Sequence, residues 1–188
     1  SATLRDYTSG EINHHKTVIL TFDDGYEDNY KVAFPILREF GMTATVFLVS
    51  NTISTDHIFH WDKPKIPGQG AHEHFGILTW EQIHEMREYG IEFGSHTCTH
   101  RILSDLSLDE QRCEIQESKI ALEGNLKEQV TSFCYPEGKL QPETIGLVEE
   151  SGYRAGVLTP SGKGEPKGPF THRRVGVYFH LTPWKFRI

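Results

Sequence analysis

"TVILTFDDGY", residues 17–26, is a run of apolar and β-branched residues that ends in two adjacent acids and a glycine. An apolar run of this length bounded by turn residues reads as a buried strand. Asp23 beside Asp24 is then the anomaly. Like charges repel, and burying carboxylates costs free energy unless something pairs with them. A turn is one explanation, because Asp and Gly both favour turns. The other is a cation or a reaction that uses two carboxylates at a strand end. The stretch alone leaves both open.

The rest of the chain repeats the pattern of a short apolar run followed by a helical period. "EDNYKVAFPILREFG" is amphipathic, with Gly41 as its stop and Pro35 as a kink or break. "TATVFLV" (43–49) is a second strand. "TWEQIHEMREYG" (79–90) has Thr79 as a cap and Gly90 as a stop, and "IEFGS" (91–95) is the strand after it. "SLDEQRCEIQESKIALEGNL" is the clearest helix, with Ser107 and Glu110 in capping-box spacing. "VTSFCY" (130–135), "PETIGLVEESG" and "YRAGVLT" (153–159) add strand, helix and strand, and "RRVGVYF" (173–179) reads as a last strand. Residues 50–78 show no period. They are expected to border a groove rather than form core, with Trp61 and Trp80 as stacking faces.

Strands alternating with helices imply βαβ units and a parallel sheet, open or closed as a barrel, in one domain spanning 1–188. Ligands in such folds sit at the carboxyl ends of the strands. Asp23 and Asp24 follow the first strand. "SHTCTH", with His96 and His100, follows "IEFG", and "YPEG" follows "VTSFC". Three chemically capable clusters therefore share one rim, which a turn alone does not explain. If a helical turn carries His96 and His100, both can reach one ion. Two His and a carboxylate form the donor set of open catalytic metal sites. The second carboxylate is then free to act as a general base on a water whose pKa the ion lowers.

Composition narrows the function classes. The 188 residues carry a net charge of −7, which argues against a nucleic-acid surface, and no stretch approaches a membrane span. No signal peptide is visible. Three cysteines without CxxC spacing argue against a disulfide framework. Most of the eleven histidines read as surface residues, including those of "AHEHF".

"TFDDGY", "SHTCTH" and "FCYPEG", in that order, resemble the signatures of polysaccharide deacetylases of the NodB-homology type, carbohydrate esterase family 4. "AFPILREFGMTATVFLV", "LTWEQIHEM" and "ESGYRAGV" look like connecting elements of the same family, so the resemblance runs from about residue 17 to about 159. Its nearest subgroup looks like the extracellular poly-N-acetylglucosamine deacetylases, which implies secretion or the cell envelope. The family implies a distorted (β/α) barrel with fewer than eight regular strands. It also implies hydrolysis of acetyl groups from an acetylated glycan. Carried over by position, Asp23 is the general base, and Asp24, His96 and His100 hold one divalent metal ion, zinc before others. The N–H of Glu137, after Pro136, would hold the oxyanion, and Tyr135 would shape that wall.

Two positions depart from the family pattern. Many members have Arg where this chain has Cys134, and there it orients the base. Cys134 reads as a packed small residue rather than a nucleophile. Glu137 stands where many have Tyr, adding a negative charge beside the site. Past residue 159 the match is loose, and His180, directly after "VGVYF", is the candidate for the acid that protonates the leaving group. An O-acetyl esterase, a small-molecule amidohydrolase and an inactive glycan-binding module are the alternative readings. Intact Asp23, Asp24, His96 and His100 argue against the last.

Overall fold

Among the described residues the apolar runs become five short strands: β1 (Thr21–Phe22), β2 (Thr45–Leu48), β3 (Glu92–Ser95), β4 (Ser132–Cys134) and β5 (Ala155–Val157). They lie side by side in chain order, every neighbouring pair parallel. The computed structural model describes residues 1–10, 16–63, 75–159 and 168–177. Helices within these residues include α1 (Leu4–Ser9), α2 (Phe34–Glu39), α3 (Trp80–Tyr89), α4 (Leu108–Leu126) and α5 (Pro142–Glu150). Five parallel strands with helices outside them make a curled half-barrel, the distorted (β/α) barrel expected.

Alternation along the strands sorts the side chains into two layers. Phe47, Cys134, Ala155 and Val157 form one cluster with Leu4. Val46, Leu48, Phe93 and Phe133 point the other way, onto Ile83, Met86, Ile115, Leu122 and Leu147 of the helices. Gly94 is required on the first side, since a Cβ there would come within 2.6 Å of the Phe47 ring.

Two of the expected helices, α3 and α4, form with the expected ends. Thr79 and Ser107 cap α3 and α4 in capping boxes, and Gly90 ends α3 at φ 115°. The stretch before α2 is a five-residue π turn, Asn29–Ala33, which runs into Pro35 at the start of α2. The expected break at Pro35 is thus a change of helical pitch. After α2, Gly41 N–H bonds Arg38 O and Met42 N–H bonds Leu37 O, the Schellman pattern of a glycine stop.

Two readings need correction. The first strand is shorter than 17–22, because Ile19 pairs with Ala2 rather than with β2. Of the expected strand 173–179, the described residues 173–177 form no strand; just before them a bridge joins His172 to Val157 of β5, and 178–179 lie outside the described residues. Helix α1 was not expected at all, although Thr3 and Asp6 stand in capping-box spacing. It closes the rim opposite the site: Leu4 N–H donates to Thr45 Oγ1 at 3.0 Å and Arg5 N–H to Glu92 Oε2 at 2.9 Å. Thr45 and Glu92 are the first residues of β2 and β3. Thr45 and Ser132 hydroxyls also donate to the Glu92 carboxylate, so this buried charge is well satisfied.

Candidate active site

Asp23 and Asp24 follow β1 directly, and a backbone reversal separates their side chains. Asp24 has φ 70° and Gly25 φ 73°, left-handed conformations that Asp tolerates and Gly adopts freely. A Cβ at Gly25 would also come within 2.8 Å of Leu48. The reversal turns Asp24 towards the end of β3, while Asp23 stays over the barrel interior.

Asp24 Oδ1 lies 3.5 Å from His96 Nε2 and 3.4 Å from His100 Nε2. It is buried and has no hydrogen-bond partner. These separations are long for hydrogen bonds. They match the edge of a tetrahedron of ligands about 2.0–2.1 Å from a shared ion, which is about 3.3 Å. His96 Nδ1 stands 2.7 Å from the Cys134 carbonyl. A carbonyl can only accept, so Nδ1 carries the proton and Nε2 presents its lone pair to the same point. Burial pushes the Asp24 carboxyl up to about 6, with Asp23 and Asp62 adding to the rise against His96. Burial, then the neighbouring His96, pushes His100 down to about 3, keeping it neutral and able to ligate. The donor set therefore fits a divalent cation. The helical turn expected for His96 and His100 is absent. They flank a bend at Cys98 and Thr99, with Thr97 and His100 at φ 69° and 61°.

Asp23 meets a group that sequence reasoning missed. Arg174 forks onto it, Nη1 to Oδ1 and Nη2 to Oδ2, each at 2.7 Å. The remaining donors reach Leu158 O at 2.8 Å, Thr21 Oγ1 at 3.0 Å and Cys134 Sγ at 3.2 Å. All five N–H groups of the guanidinium are engaged, which fixes the plane of the Asp23 carboxylate. Burial works to raise the Asp23 pKa, but the Arg174 hydrogen bonds, His96 and the Arg174 charge outweigh it and hold the group below the usual carboxylate range. The cation that Cys134 cannot supply comes instead from the segment after β5. The only signal for it was "RRVGVYF" lying next to an apolar run. Cys134 is wholly buried and burial raises its thiol, in keeping with packing rather than nucleophilic work.

The turn after β4 supplies the third wall. Glu137 sits at φ 52° in Pro136–Gly138. Gly138 and Lys139 N–H bond back to Tyr135 O and Pro136 O, whereas Glu137 N–H takes no part in those backbone bonds. The Glu137 carboxylate pairs with Lys139 at 2.6 Å on an exposed side, so its charge is compensated. Tyr135 is not a surface of the groove. It is completely buried against Phe133, supporting the turn from behind.

The segment after β2 also departs from expectation. Thr52, Ile53, Phe59 and Asp62 are buried, and Phe59 joins Val49 and Ile77 in a core cluster. Trp61 lies flat on Phe59 at 4.5 Å and against His100 at 4.7 Å. Its Nε1 donates to Tyr26 Oη at 2.9 Å, and Tyr26 in turn donates to Asp62. Trp61 thus backs a histidine of the site. Trp80 opens α3 and packs on the main core. His180 and the "AHEHF" histidines lie outside the described residues.

A family profile described as polysaccharide deacetylase matches residues 10–156. The chain belongs to the polysaccharide deacetylase family. The Bacillus subtilis protein YxkH, which carries a polysaccharide deacetylase name, is 36% identical over 163 residues, 86% of this chain and 52% of its own length. The poly-beta-1,6-N-acetyl-D-glucosamine N-deacetylase of Staphylococcus epidermidis is 27% identical over 75% of this chain and 47% of its own. The chain thus spans about half the length of these relatives. Among solved structures, the Streptococcus pyogenes deacetylase PplD in complex with acetate superposes with a TM-score of 0.76 at 28% identity, covering 97% of this chain and 74% of that one. A polysaccharide deacetylase from Bacillus cereus gives 0.77 at 25% identity, covering 98% and 55%.

Proposed function

We propose that this domain is a metal-dependent deacetylase that hydrolyses N-acetyl groups of a polysaccharide and releases acetate. The observation that carries the reading is the orphaned Asp24 oxygen at ligand-to-ligand distance from two histidines, with a fixed, ionised Asp23 beside it. Asp24, His96 and His100 would hold the ion, and two imidazoles with one carboxylate suit zinc. When bound, the ion would polarise the acetyl carbonyl and make a water acidic enough to attack it.

The chain's own residues do the rest. Asp23 accepts the proton of the attacking water, its carboxylate aimed by Arg174. Glu137 N–H faces the oxyanion of the tetrahedral intermediate, a task for the backbone that leaves the side chain free to pair with Lys139. The leaving nitrogen needs a proton, and the expectation that His180 supplies it is part of this proposal. A relative named for poly-beta-1,6-N-acetyl-D-glucosamine supports the N-acetylglycan reading over O-acetyl or ureide substrates, and a structural neighbour holding acetate fits release of that product.

The test is acetate release from poly-β-1,6-N-acetylglucosamine, chitin oligomers, peptidoglycan and acetylated xylan, with and without chelator. Release from an N-acetylated glycan, abolished by chelation and restored by zinc, is expected. Release from acetylated xylan alone would move the activity to O-acetyl esterase, and release that chelation leaves intact would remove the metal from the reaction. Metal affinity should also depend on pH. A proton competes at Asp24, whose pKa without metal is about 6, so affinity falls as pH drops through that value. Competition titrations between about pH 5 and 8 check this, and a flat profile would contradict it.

A further inference from the structure

The bend after β3 holds residues in backbone conformations they do not favour. Thr97 and His100 have φ 69° and 61°. This left-handed region is uncommon for any residue but glycine and an outlier for a β-branched one such as Thr97. Such backbone persists only where the surroundings over-determine it.

The two histidines are fixed differently. His96 continues β3: its N–H donates to Leu48 O at 2.8 Å, and its ring is tied to the Cys134 carbonyl. His100 lies at the far end of the bend. Its own N–H donates to Thr97 Oγ1 at 3.0 Å, so its place depends on how the bend is held. From one side, Ser50 and Asn51 N–H donate to Thr97 O at 3.1 Å and Cys98 O at 3.0 Å. From the other side Thr97 N–H reaches Ser95 Oγ at 3.3 Å, with Ser118 of α4 behind it, and one side chain of α4 holds Cys98 and Thr99 directly. Glu114 Oε2 accepts the N–H of Cys98 and of Thr99, both at 2.9 Å, and Oε1 accepts the Thr99 hydroxyl at 2.5 Å.

Glu114 is buried on α4, next to the core residue Ile115. A carboxylate there costs free energy unless its acceptor positions are used, and three donors from the bend use them. We propose that Glu114 is a positioning residue that fixes His100 for metal binding by clamping the 97–100 backbone. The proposal rests on the metal site described above. Glu114 touches neither substrate nor ion; it acts through His100.

Metal affinity, read by chelator competition, and the melting temperature of the metal-free protein together test this. Glu114→Ala is expected to weaken affinity about 10–100-fold, the usual effect of removing a group that orients a ligand. Glu114→Gln should stay within a few-fold of the wild type, because its amide oxygen can still accept both N–H bonds. A double-mutant cycle separates positioning from general stability. Once His100→Ala has removed the ligand, Glu114→Ala should weaken affinity little further. Unchanged affinity in Glu114→Ala, or its full loss repeated in the His100→Ala background, would overturn the proposal. Should Glu114→Ala fail to fold, Thr99→Val removes only the hydroxyl contact. A few-fold loss is then expected, and none would count against the clamp. His96→Ala is the control for the site itself: unchanged affinity there brings down the metal reading, whereas wild-type affinity confined to Glu114→Ala brings down only the clamp.

Discussion

Asp23→Asn is expected to lower turnover by about 10²–10⁴-fold, the contribution of a positioned general base, while the protein still binds its metal ion. The amide is nearly the same size and can keep part of the Arg174 contact, but it cannot take a proton from water. Asp24→Asn should do the reverse at the binding step. Its oxygen has no hydrogen-bond partner and lies 3.4–3.5 Å from two imidazole nitrogens, so weakening it as a donor weakens the hold on the ion. The pair is informative because the residues are adjacent and chemically identical. Their adjacency at a strand end, with the left-handed backbone at Asp24, sends them to different partners. Metal content and acetate release measured on both variants check the assignment. Equal metal loss in the two would show that the carboxylates do not divide the work in this way.

What the sequence revealed follows from how local each signal is. Caps and glycine stops act within one turn, so the ends of α3 and α4 could be read directly. Strand ends followed by acids and histidines could be placed on one rim by the rule for parallel sheets. The bend between His96 and His100 could not be read. Its left-handed residues, Thr97 and His100, are forced by bonds from Ser50, Asn51 and Glu114, far away in the chain. Trp61 misled for a related reason. In a segment without period it looked free to stack on sugar, yet it lies flat on Phe59 and meets His100. Arg174 was the least legible. Nothing near it announces a partner 151 residues earlier, and the missing arginine at Cys134 gave no hint of where a replacement would come from.

Replacing Arg174 should therefore impair the reaction although the residue lies outside the three motifs. Arg174→Ala leaves the Asp23 carboxylate without its cation while burial still opposes its charge, so its pKa rises. Asp23 must be ionised to accept a proton. Activity present above its pKa is then lost at a higher pH than in the wild type, and the acid limb of the kcat/KM profile moves to higher pH. The fork also sets the carboxylate's plane, and misplacing a reacting group by about 1 Å can cost about 10²-fold in rate. Stability should fall too. Breaking a buried pair costs about 3–5 kcal/mol, and the 27% exposure of the Asp23 side chain brings the expectation nearer to about 2–3 kcal/mol. Arg174→Lys separates charge from geometry. An ammonium keeps the positive charge but cannot serve Asp23, Thr21, Leu158 and Cys134 from one plane. The acid limb should then recover more than the rate. Metal affinity should change far less than turnover in both variants, because Asp24, His96 and His100 make none of these bonds and the Arg174 charge is the smallest of the influences on Asp24. A pH profile and rate unchanged in Arg174→Ala would show that the guanidinium only fills space beside Asp23.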